Sequence, residues 1–322
     1  MSAPLTVAIL AGGLTHEREV SLNSGRRVAT ALHDAGMQVK VFDVDANLLQ
    51  HLQAMEPDVV WPLIHGSTGE DGSLQDLLEL AGFPYVGTTS TACKIASDKA
   101  IASTVLSWEG IAVPPSVTIP QKLFREVGVA PVLELIKSRF GFPLVVKPSQ
   151  GGSALGITIV SEAAELPKAM VDCYAYGEDA RVEKFIEGRE VAVSVIATNS
   201  TGGEPHALPP VEIIVEDGYY DFDARYNAGR AQYFVPARLT EEETSAVQTA
   251  AEKVHDVLSL GHLSRTDIIL SDDGTAWVLD VNVAPGMTET SLFPQAAAAE
   301  AKSAGTAVDD MYAEILHSAI GQ

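Results

Sequence analysis

The stretch TDIILSDDGTAWVLDVNVAPGMTETSL, residues 266–292, predicts a β-hairpin with polar side chains inside its apolar strands. Two runs rich in valine, isoleucine and leucine flank a turn, and Asp267, Asp280 and Asn282 interrupt them. These three residues carry oxygen atoms of the kind that bind metal ions. The composition of this stretch therefore raises the question of what such side chains do in a hairpin that is otherwise suited to burial.

A simple pairing with the turn at 271–274 places Val278 opposite Asp267. Since side chains alternate across a strand with period two, this register puts four polar residues on one face: Arg265, Asp267, Asp280 and Asn282. A glycine bulge at the turn would shift that parity. Carboxylates packed this closely need a cation, and Mg²⁺ suits oxygen ligands that act together with phosphate oxygens. The alternative is a solvated hairpin face with scattered acids.

Length and composition predict a globular protein of two or three domains. The chain has 322 residues, of which 46% are hydrophobic. Its net charge of -22, from 21 basic and 43 acidic residues, disfavours nucleic acid and anionic membranes as partners, but not an anionic small ligand. No apolar run reaches the roughly 18 residues of a membrane span. Without a recognisable signal peptide, and with only Cys93 and Cys173, we expect a cytoplasmic protein.

The first part of the chain alternates between strand and helix patterns. We predict a strand over 5–10, a helix from about 19 to 34, strands within 39–44 and 58–65, and a helix near 72–81. This alternation is typical of a parallel sheet with crossover helices.

The rest of the chain has a different pattern. Asp98 begins a helix that we expect Ser97 to cap. Further predictions are strand, glycine-rich loop and strand over 141–160, two strands around Gly188, an irregular region over 199–234, a helix at about 240–258, and an alanine-rich helix that ends the chain. The long irregular region, which contains YYDFDARYNAG, is either a surface Ω-loop or a lid.

Lys147 ends an apolar strand and is followed by PSQGGSALG. A glycine-rich loop lets backbone N–H groups approach phosphate, and a nearby lysine adds charge. The spacing fits neither the P-loop nor the Rossmann motif, and a plain hairpin loop is the alternative. HEREVSLNSG, which contains Glu17, and HGSTGEDGSLQ, which begins at His65, follow predicted strands, where open α/β sheets bind ligands. A helix first turn and a core-edge histidine are the alternatives there.

Taken in order, these segments resemble the D-alanine–D-alanine ligases of the ATP-grasp superfamily. The resemblance covers nearly the whole chain and rests on HEREVSLNSG, HGSTGEDGSLQ, PYVG, SDK, VVKPSQGGSALG, VEKFIEGRE, YYDFDARY, RTD and DVNVAPGMTETSL. It implies an α/β protein of the ATP-grasp fold, in which an N-terminal parallel-sheet subdomain precedes two α+β subdomains that clasp ATP. The implied boundaries are 1–97, 98–188 and 189–322.

The resemblance also implies an activity. Such ligases convert one D-alanine to an acyl phosphate with ATP, and the amine of a second D-alanine displaces phosphate to give the dipeptide used for peptidoglycan. It implies ATP as substrate, two Mg²⁺ ions with Mn²⁺ as a substitute, and a homodimer.

Site residues follow from the resemblance by motif. Those implied for ATP are Lys99, Lys147, Ser153, Glu183, Lys184, Phe185, Ile186, Glu190 and Arg225, with the 149–156 loop closing over the phosphates. Those implied for D-alanine and catalysis are Glu17, Val20, His65, Ser153, Tyr226, Arg265, Gly286, Ser291 and Leu292. Asp267, Asp280 and Asn282 would hold magnesium, and Arg265 with the Gly286 N–H would stabilise the oxyanion. In such ligases a tyrosine at the position of Tyr226 accompanies an amine as the second substrate, whereas a phenylalanine there accompanies D-lactate. The resemblance therefore implies a dipeptide product.

Five positions depart from the usual pattern: Ala154, Phe222, Arg225, Asp280 and Val283. They cluster around phosphate and metal, whereas the residues implied for the amino acids are intact. Two alternatives therefore stand beside the leading hypothesis. One is an ATP-grasp paralogue that makes a different dipeptide in secondary metabolism or self-resistance. The other is a nucleotide-binding protein without ligase activity that senses ATP or D-alanine.

Overall fold

The structure is a computed structural model that describes residues 4–151, 155–215 and 231–320, with the Ser67 side chain also left out. The predicted parallel sheet is confirmed: three strands pair in the order β2-β1-β3. Its strands are β1 (Thr6–Leu10), β2 (Gln38–Phe42) and β3 (Val59–Pro62). The helices of this region are α1 (Arg18–Asp34), α2 (Leu48–Met55), α3 (Ser67–Glu70), α4 (Ser73–Ala81) and α5 (Ser90–Ala96).

Strand β1 is buried on both faces, which explains its unbroken apolar sequence. Val7 and Ile9 belong to a core cluster that includes residues of α1, whereas Ala8 and Leu10 pack with residues of α2 and α4. Helices on both faces leave the carboxyl end of the sheet for a ligand, as in other open α/β sheets.

The middle of the chain forms a four-stranded antiparallel sheet in the order β4-β7-β5-β6. Its strands are β4 (Ser116–Pro120), β5 (Leu144–Pro148), β6 (Thr158–Val160) and β7 (Asp179–Lys184). Helix α6 (Lys99–Trp108) precedes it, and its own helices are α7 (Gln121–Val127), α8 (Val129–Phe140) and α9 (Leu166–Cys173). Residues of α7, α8 and α9 share one apolar core with the sheet.

A six-stranded antiparallel sheet follows, in which β11-β10-β8-β12-β13 run in order and β9 also pairs with β8. Its strands are β8 (Arg189–Ile196), β9 (His206–Ala207), β10 (Val211–Val215), β11 (Ala231–Phe234), β12 (Leu263–Leu270) and β13 (Ala276–Asn282). The last helices are α10 (Glu241–Val257), α11 (Leu292–Ala304) and α12 (Val308–Ser318). Residues of α5, α6 and α10 share an apolar core with this sheet.

Three local predictions were wrong. The region 199–234 contains strands β9, β10 and β11. Their register is fixed by pairing, of β9 and β10 with β8 and of β11 with β10, rather than by a strong apolar pattern of their own. The alanine-rich helix does not end the chain, because α12 follows it. Asp98, not Ser97, caps α6: its carboxylate accepts hydrogen bonds from the Ala100 and Ile101 N–H groups.

The ends of the described chain share one core. Residues of α11 and α12 pack with β1, β3 and α1, and the Trp61 and Tyr312 rings meet edge to face at 6.3 Å between centroids. The N-terminal sheet is therefore covered on one face by the last two helices. This arrangement brings the loop between β13 and α11 against the carboxyl end of the N-terminal sheet.

Candidate active site

The hairpin of β12 and β13 presents its polar side chains on one face, although not in the predicted register. Asp267 pairs with Asp280 rather than with Val278, and Arg265 pairs with Asn282. The turn shifts the pairing by one residue, so that Leu270 faces Ala276, and a bulge between Asp267 and Ile268 shifts it once more. Two single-residue shifts restore the parity, so the prediction of a shared face is confirmed and the predicted register is wrong.

The two hairpin aspartates already have cationic partners. Arg265 donates from Nε and Nη2 to the two oxygens of Asp267, at 2.7 and 3.0 Å. Lys99 Nζ lies 3.0 Å from Asp280 Oδ1. Each carboxylate is thereby charge-balanced within the chain. Arg265 and Asp267 share one face of β12, whereas Lys99 reaches Asp280 from a distant part of the sequence.

The donor set on this face suits a hard cation. Within the described residues, no three His, Cys, Asp or Glu side chains lie close enough to hold a metal ion by themselves. Asp267, Asp280 and Asn282 offer two carboxylates and one amide, which fits Mg²⁺ when phosphate oxygens and water complete its shell. The amide Oδ1 of Asn282 also accepts the Ala284 N–H at 3.0 Å, so that this side chain is fixed in orientation.

Lys147 takes part in a buried network. Its Nζ lies 2.8 Å from Glu183 Oε2 and donates to the carbonyl oxygen of Leu279, the residue beside the hairpin bulge, at 3.1 Å. Glu183 also accepts from Arg181 Nε at 2.5 Å. Burial alone would raise the pKa of Glu183, but the charges of Lys147 and Arg181 outweigh it and hold that pKa below its usual value.

The SDK motif fixes the start of α6 and the loop after β5 together. Ser149 Oγ donates to Asp98 Oδ1 at 3.2 Å, and the Lys99 N–H donates to the Ser149 carbonyl at 2.9 Å. The Lys99 ammonium donates to the Gly151 carbonyl at 2.7 Å. The lysine that pairs with Asp280 therefore also holds the first part of the glycine-rich loop.

A cleft of about 650 Å³ lies where these groups meet. Four of the predicted site residues line it: Glu17, Lys99, Lys147 and Asp280. Residues 148–151 form one wall, and Tyr176 to Asp179 contribute to another. The cleft thus joins the N-terminal unit, the four-stranded sheet and the hairpin.

Glu17 marks an anionic part of the cleft. Its side chain is buried, and a Cβ on Gly66 would lie 2.8 Å from Glu17 Oε2. Glu70 lies nearby and accepts the Gly66 N–H at 3.0 Å. Burial, followed by the charge of Glu17, raises the pKa of Glu70 to about 8. Glu70 is therefore protonated at neutral pH, and the Glu17 carboxylate supplies the negative potential suited to an ammonium group.

His65 connects two distant loops rather than projecting into open space. Its Nδ1 lies 3.0 Å from the Ala284 carbonyl, which can only accept, so Nδ1 carries the proton and Nε2 accepts from Ser24 Oγ at 3.0 Å. Ser24 Oγ in turn accepts the Met287 N–H at 3.0 Å. Burial lowers the pKa of His65 to about 4, so the ring is neutral at neutral pH.

This chain of hydrogen bonds holds residues 284–287, which include Gly286. A Cβ on Gly286 would lie 2.8 Å from Ser291 Oγ and 4.0 Å from the Val20 side chain, so these three predicted residues are neighbours. Ser291 Oγ accepts the Thr288 N–H at 3.1 Å. Leu292 places its side chain in the core, which leaves only its backbone N–H, at the start of α11, for a ligand.

The predicted adenine segment follows β7. The N–H groups of Lys184 and Phe185 donate to the carbonyls of Pro115 and Pro143, at 2.9 and 3.3 Å. These two hydrogen bonds fix the backbone of the segment against the residues before β4 and β5. Glu190, predicted for the ribose, is half-buried on β8.

Some predicted residues fall outside the described part of the chain: Ser153, Ala154, Phe222, Arg225 and Tyr226. Conversely, the structure brings in Arg181, Glu70 and Ser24, which sequence reasoning did not single out. A signal was present for two of them, because Arg181 shares a strand face with Glu183 at i, i+2, and Ser24 is a polar residue on the apolar side of α1.

The architecture matches solved structures over nearly its whole length. The VanG D-Ala:D-Ser ligase of Enterococcus faecalis aligns with a TM-score of 0.81 and 25% identity, covering 99% of this chain and all of that one. A D-alanine–D-alanine ligase of Bacillus anthracis aligns with a TM-score of 0.80 and 27% identity, covering 98% of this chain and 97% of that one. Together with a lysine-lined cleft, this fold defines the class of ATP-grasp ligases, as predicted.

Sequence comparison narrows the class. The family models described as "D-ala D-ala ligase C-terminus" and "D-ala D-ala ligase N-terminus" match residues 105–317 and 43–88. The D-alanine–D-alanine ligase of Anaeromyxobacter dehalogenans is 39% identical over 91% of this chain and 91% of its own length. That of Geobacter sulfurreducens is 36% identical over 97% and 93%. The chain belongs to the D-alanine–D-alanine ligase family, whose members are ATP-dependent ligases.

Within the described residues, no helix combines the length and apolar character that a membrane crossing requires.

Proposed function

We propose that the protein joins two D-alanine molecules into D-alanyl-D-alanine, a peptidoglycan precursor, with cleavage of ATP to ADP and phosphate. The observation that carries this proposal is the polarity of the cleft. Glu17 lies at an anionic part, and Lys99 and Lys147 line a cationic part. A carboxylate that bears an ammonium group and a nucleotide triphosphate need these two potentials side by side.

The first D-alanine would place its ammonium at Glu17 and its carboxylate towards the phosphates. A carboxylate oxygen attacks the γ-phosphorus, the bond to the β,γ-bridging oxygen breaks, and ADP leaves with that electron pair. Lys99 and Lys147 would neutralise the phosphate charge, and phosphoryl transfer depends mostly on such positioning and electrostatics. We assign adenine to the backbone of 184–186, the ribose to Glu190 and further phosphate contacts to Arg225.

The amine of the second D-alanine, after losing a proton, attacks the carbonyl carbon of the acyl phosphate. Arg265 and the Gly286 N–H would stabilise the tetrahedral oxyanion, which then collapses and releases inorganic phosphate. Ser291 and the Leu292 N–H would hold the carboxylate of the second substrate. Ser153 and Tyr226 would complete a hydrogen-bonded group with Glu17.

Asp267, Asp280 and Asn282 are the residues proposed to hold two Mg²⁺ ions, or Mn²⁺ as a substitute. The bound cations would polarise the transferred phosphoryl group. We assign His65 a positioning role through Ala284, and Val20 a packing role beside Gly286, since neither residue lines the cleft. A homodimer in the cytoplasm, without nucleic-acid or membrane partners, is proposed from the resemblance and from the net charge of -22.

The deciding experiment measures phosphate release from Mg²⁺-ATP with D-alanine, L-alanine, D-serine, or D-alanine plus D-lactate, and identifies each product by mass. D-alanine-dependent release with D-alanyl-D-alanine as product supports the proposal. No release with D-alanine, together with release for another amino acid, would refute it. Light scattering on the same sample measures the mass of the assembly.

A further inference from the structure

Arg181 is a buried arginine on β7 that no part of the proposed mechanism uses. Its side chain lies on the same strand face as Glu183, two residues further on, and only 3% of Arg181 is exposed. Nε donates to Glu183 Oε1 at 2.5 Å, and Nη2 donates to Ser103 Oγ at 2.8 Å. A charged side chain this buried is costly unless it is paired, so its position calls for a reason.

The charges around Glu183 do not cancel. One carboxylate accepts from two cations, Arg181 through Oε1 and Lys147 through Oε2. The cluster of these three residues therefore carries one excess positive charge. Without Arg181, Lys147 and Glu183 would form a neutral pair, and the carboxylate would compete with phosphate oxygens for the ammonium. An anion that arrives beside Lys147 balances the excess charge.

The members of the cluster differ in access. Lys147 lines the 650 Å³ cleft, whereas Arg181 and Glu183 line a separate void of only about 20 Å³, which also borders Leu279. Lys99 and Asp280 border both spaces, but Arg181 is not among the residues that line the cleft. We therefore expect Arg181 to act on a nucleotide through Glu183 and Lys147.

Ser103 fixes the guanidinium relative to the other phosphate-side lysine. It stands four residues after Lys99 in α6, so the two side chains lie on the same face of that helix. Arg181 therefore connects the helix that carries Lys99 with the strand that faces Lys147. These contacts fix the positions of Lys99 and Lys147 relative to each other.

We propose that Arg181 is a positioning residue for ATP: it holds the Glu183 carboxylate from the side away from the cleft, so that the Lys147 ammonium retains net positive charge for the phosphates. This inference rests on the proposed ATP-dependent function. It adds a residue that affects nucleotide affinity indirectly, through Glu183 and Lys147.

The test uses the full chain with Arg181→Leu and Arg181→Lys. The matched control is Arg238→Leu, because Arg238 pairs through two nitrogens with Glu212, a carboxylate that is 5% exposed and does not line the cleft. For each variant, calorimetry gives the Kd of Mg²⁺-ATP, steady-state kinetics gives the KM of ATP and of D-alanine, and thermal unfolding gives the Tm.

Arg181→Leu is expected to raise the Kd and KM of ATP roughly tenfold, the scale of one lost charge-assisted contact, with the KM of D-alanine within about twofold. Arg181→Lys restores part of the affinity because the charge returns. Arg238→Leu lowers Tm without changing the Kd of ATP.

The proposal is overturned if Arg181→Leu binds Mg²⁺-ATP as tightly as the unmodified protein, or if it loses only Tm and kcat, as a purely structural role would produce. It is also overturned if Arg238→Leu weakens ATP binding equally. If the unmodified protein binds ATP but makes no dipeptide, the proposed function is refuted. The proposal for Arg181 is still tested in that case, by the ratio of the Kd of Mg²⁺-ATP for Arg181→Leu to that for the unmodified protein.

Discussion

Asp267 and Asp280 lie directly opposite one another on β12 and β13, and each is paired with a cation of the chain itself. Arg265 neutralises the first and Lys99 the second. The two carboxylates are consequently held close by cations of the chain itself. A metal ion that enters with ATP would compete with Lys99 for Asp280, and the released ammonium would then lie beside the phosphates.

Asp280→Asn tests this exchange. The substitution keeps the shape of the side chain but removes its charge, so we expect the magnesium concentration for half-maximal activity to rise at least ~10-fold. A magnesium titration at saturating ATP and D-alanine measures it. Asp273→Asn, at the exposed hairpin turn, serves as the control. An unchanged magnesium dependence in Asp280→Asn would remove this residue from the metal site.

Arg265→Ala should abolish most dipeptide formation while ATP binding survives. The guanidinium is buried and aimed at the face of the hairpin that carries the proposed metal ligands, and loss of an oxyanion donor costs about 10²–10³ in kcat. Mass detection of the dipeptide and calorimetry with ATP measure the two effects separately. Near-normal turnover would show that the oxyanion is stabilised elsewhere.

Ser24→Ala should weaken amino-acid binding through the loop at 284–287. It removes the hydroxyl that accepts the Met287 N–H and donates to His65, so the loop that carries Gly286 loses its support. We expect the KM of D-alanine to rise several-fold, with the KM of ATP unchanged. Steady-state kinetics at varied concentrations of each substrate measures both.

Ser21→Ala is the matched control for that variant. Ser21 is equally buried on α1, but it bonds to Gly12 and Leu63 instead of the 284–287 loop. Both variants should lose about 1–3 kcal/mol of unfolding free energy, because each leaves buried groups unpaired. If Ser21→Ala raised the KM of D-alanine as much as Ser24→Ala, the loop would not be the cause.

The free energy of unfolding should fall as the pH drops from about 6.5 towards 4. Burial lowers the pKa of His255 from 6.5 to about 4. Between these two pH values His255 is protonated in the unfolded chain and neutral in the folded chain, so a falling pH stabilises the unfolded chain. The loss from this one residue is on the order of 3 kcal/mol at the acidic end. Urea unfolding at a series of pH values measures the slope.

His255→Asn should reduce that slope while keeping a group that can bond to Ser264, as Nδ1 does at 2.8 Å. The part of the slope that comes from His65, whose pKa burial also lowers to about 4, should remain. His33→Asn, at the exposed end of α1, is the matched control for removal of a histidine. A slope that is the same in all three proteins would mean that His255 does not contribute to the acid sensitivity.

The alternation of polar and apolar residues predicted which side chains of the hairpin share a face, but not which residues pair across it. Side chains alternate between the two faces of a strand with period two. Two shifts of one residue each move the pairing by two residues, so the same side chains still share a face. The extra residue of the bulge, Leu279, has no local signal in the sequence around it, so the register could not be derived. It is set by contacts outside the hairpin, such as the Lys147 hydrogen bond to the Leu279 carbonyl.

Long-range partners were beyond sequence reasoning for the same reason. Alternation placed Arg181 beside Glu183, but its bond to Ser103 spans 78 positions in the chain. Strands β10 and β11 were missed because glycine, proline and acidic residues around them are typical of loops. Their conformation is decided by pairing, of β10 with β8 and of β11 with β10.

The cover that α11 and α12 give to the N-terminal sheet has a consequence for protein synthesis. Val7, Ile9 and Trp61 leave the ribosome early, yet Phe293, Tyr312 and other residues that bury them are translated last. Until α11 and α12 are made, the nascent chain can cover this sheet face only in part, with α1, and exposed apolar surface of this kind favours chaperone capture and aggregation. A ribosome stalled before α11 would hold a polypeptide that has made every proposed catalytic side chain up to Ser291 but has not closed the core beneath them.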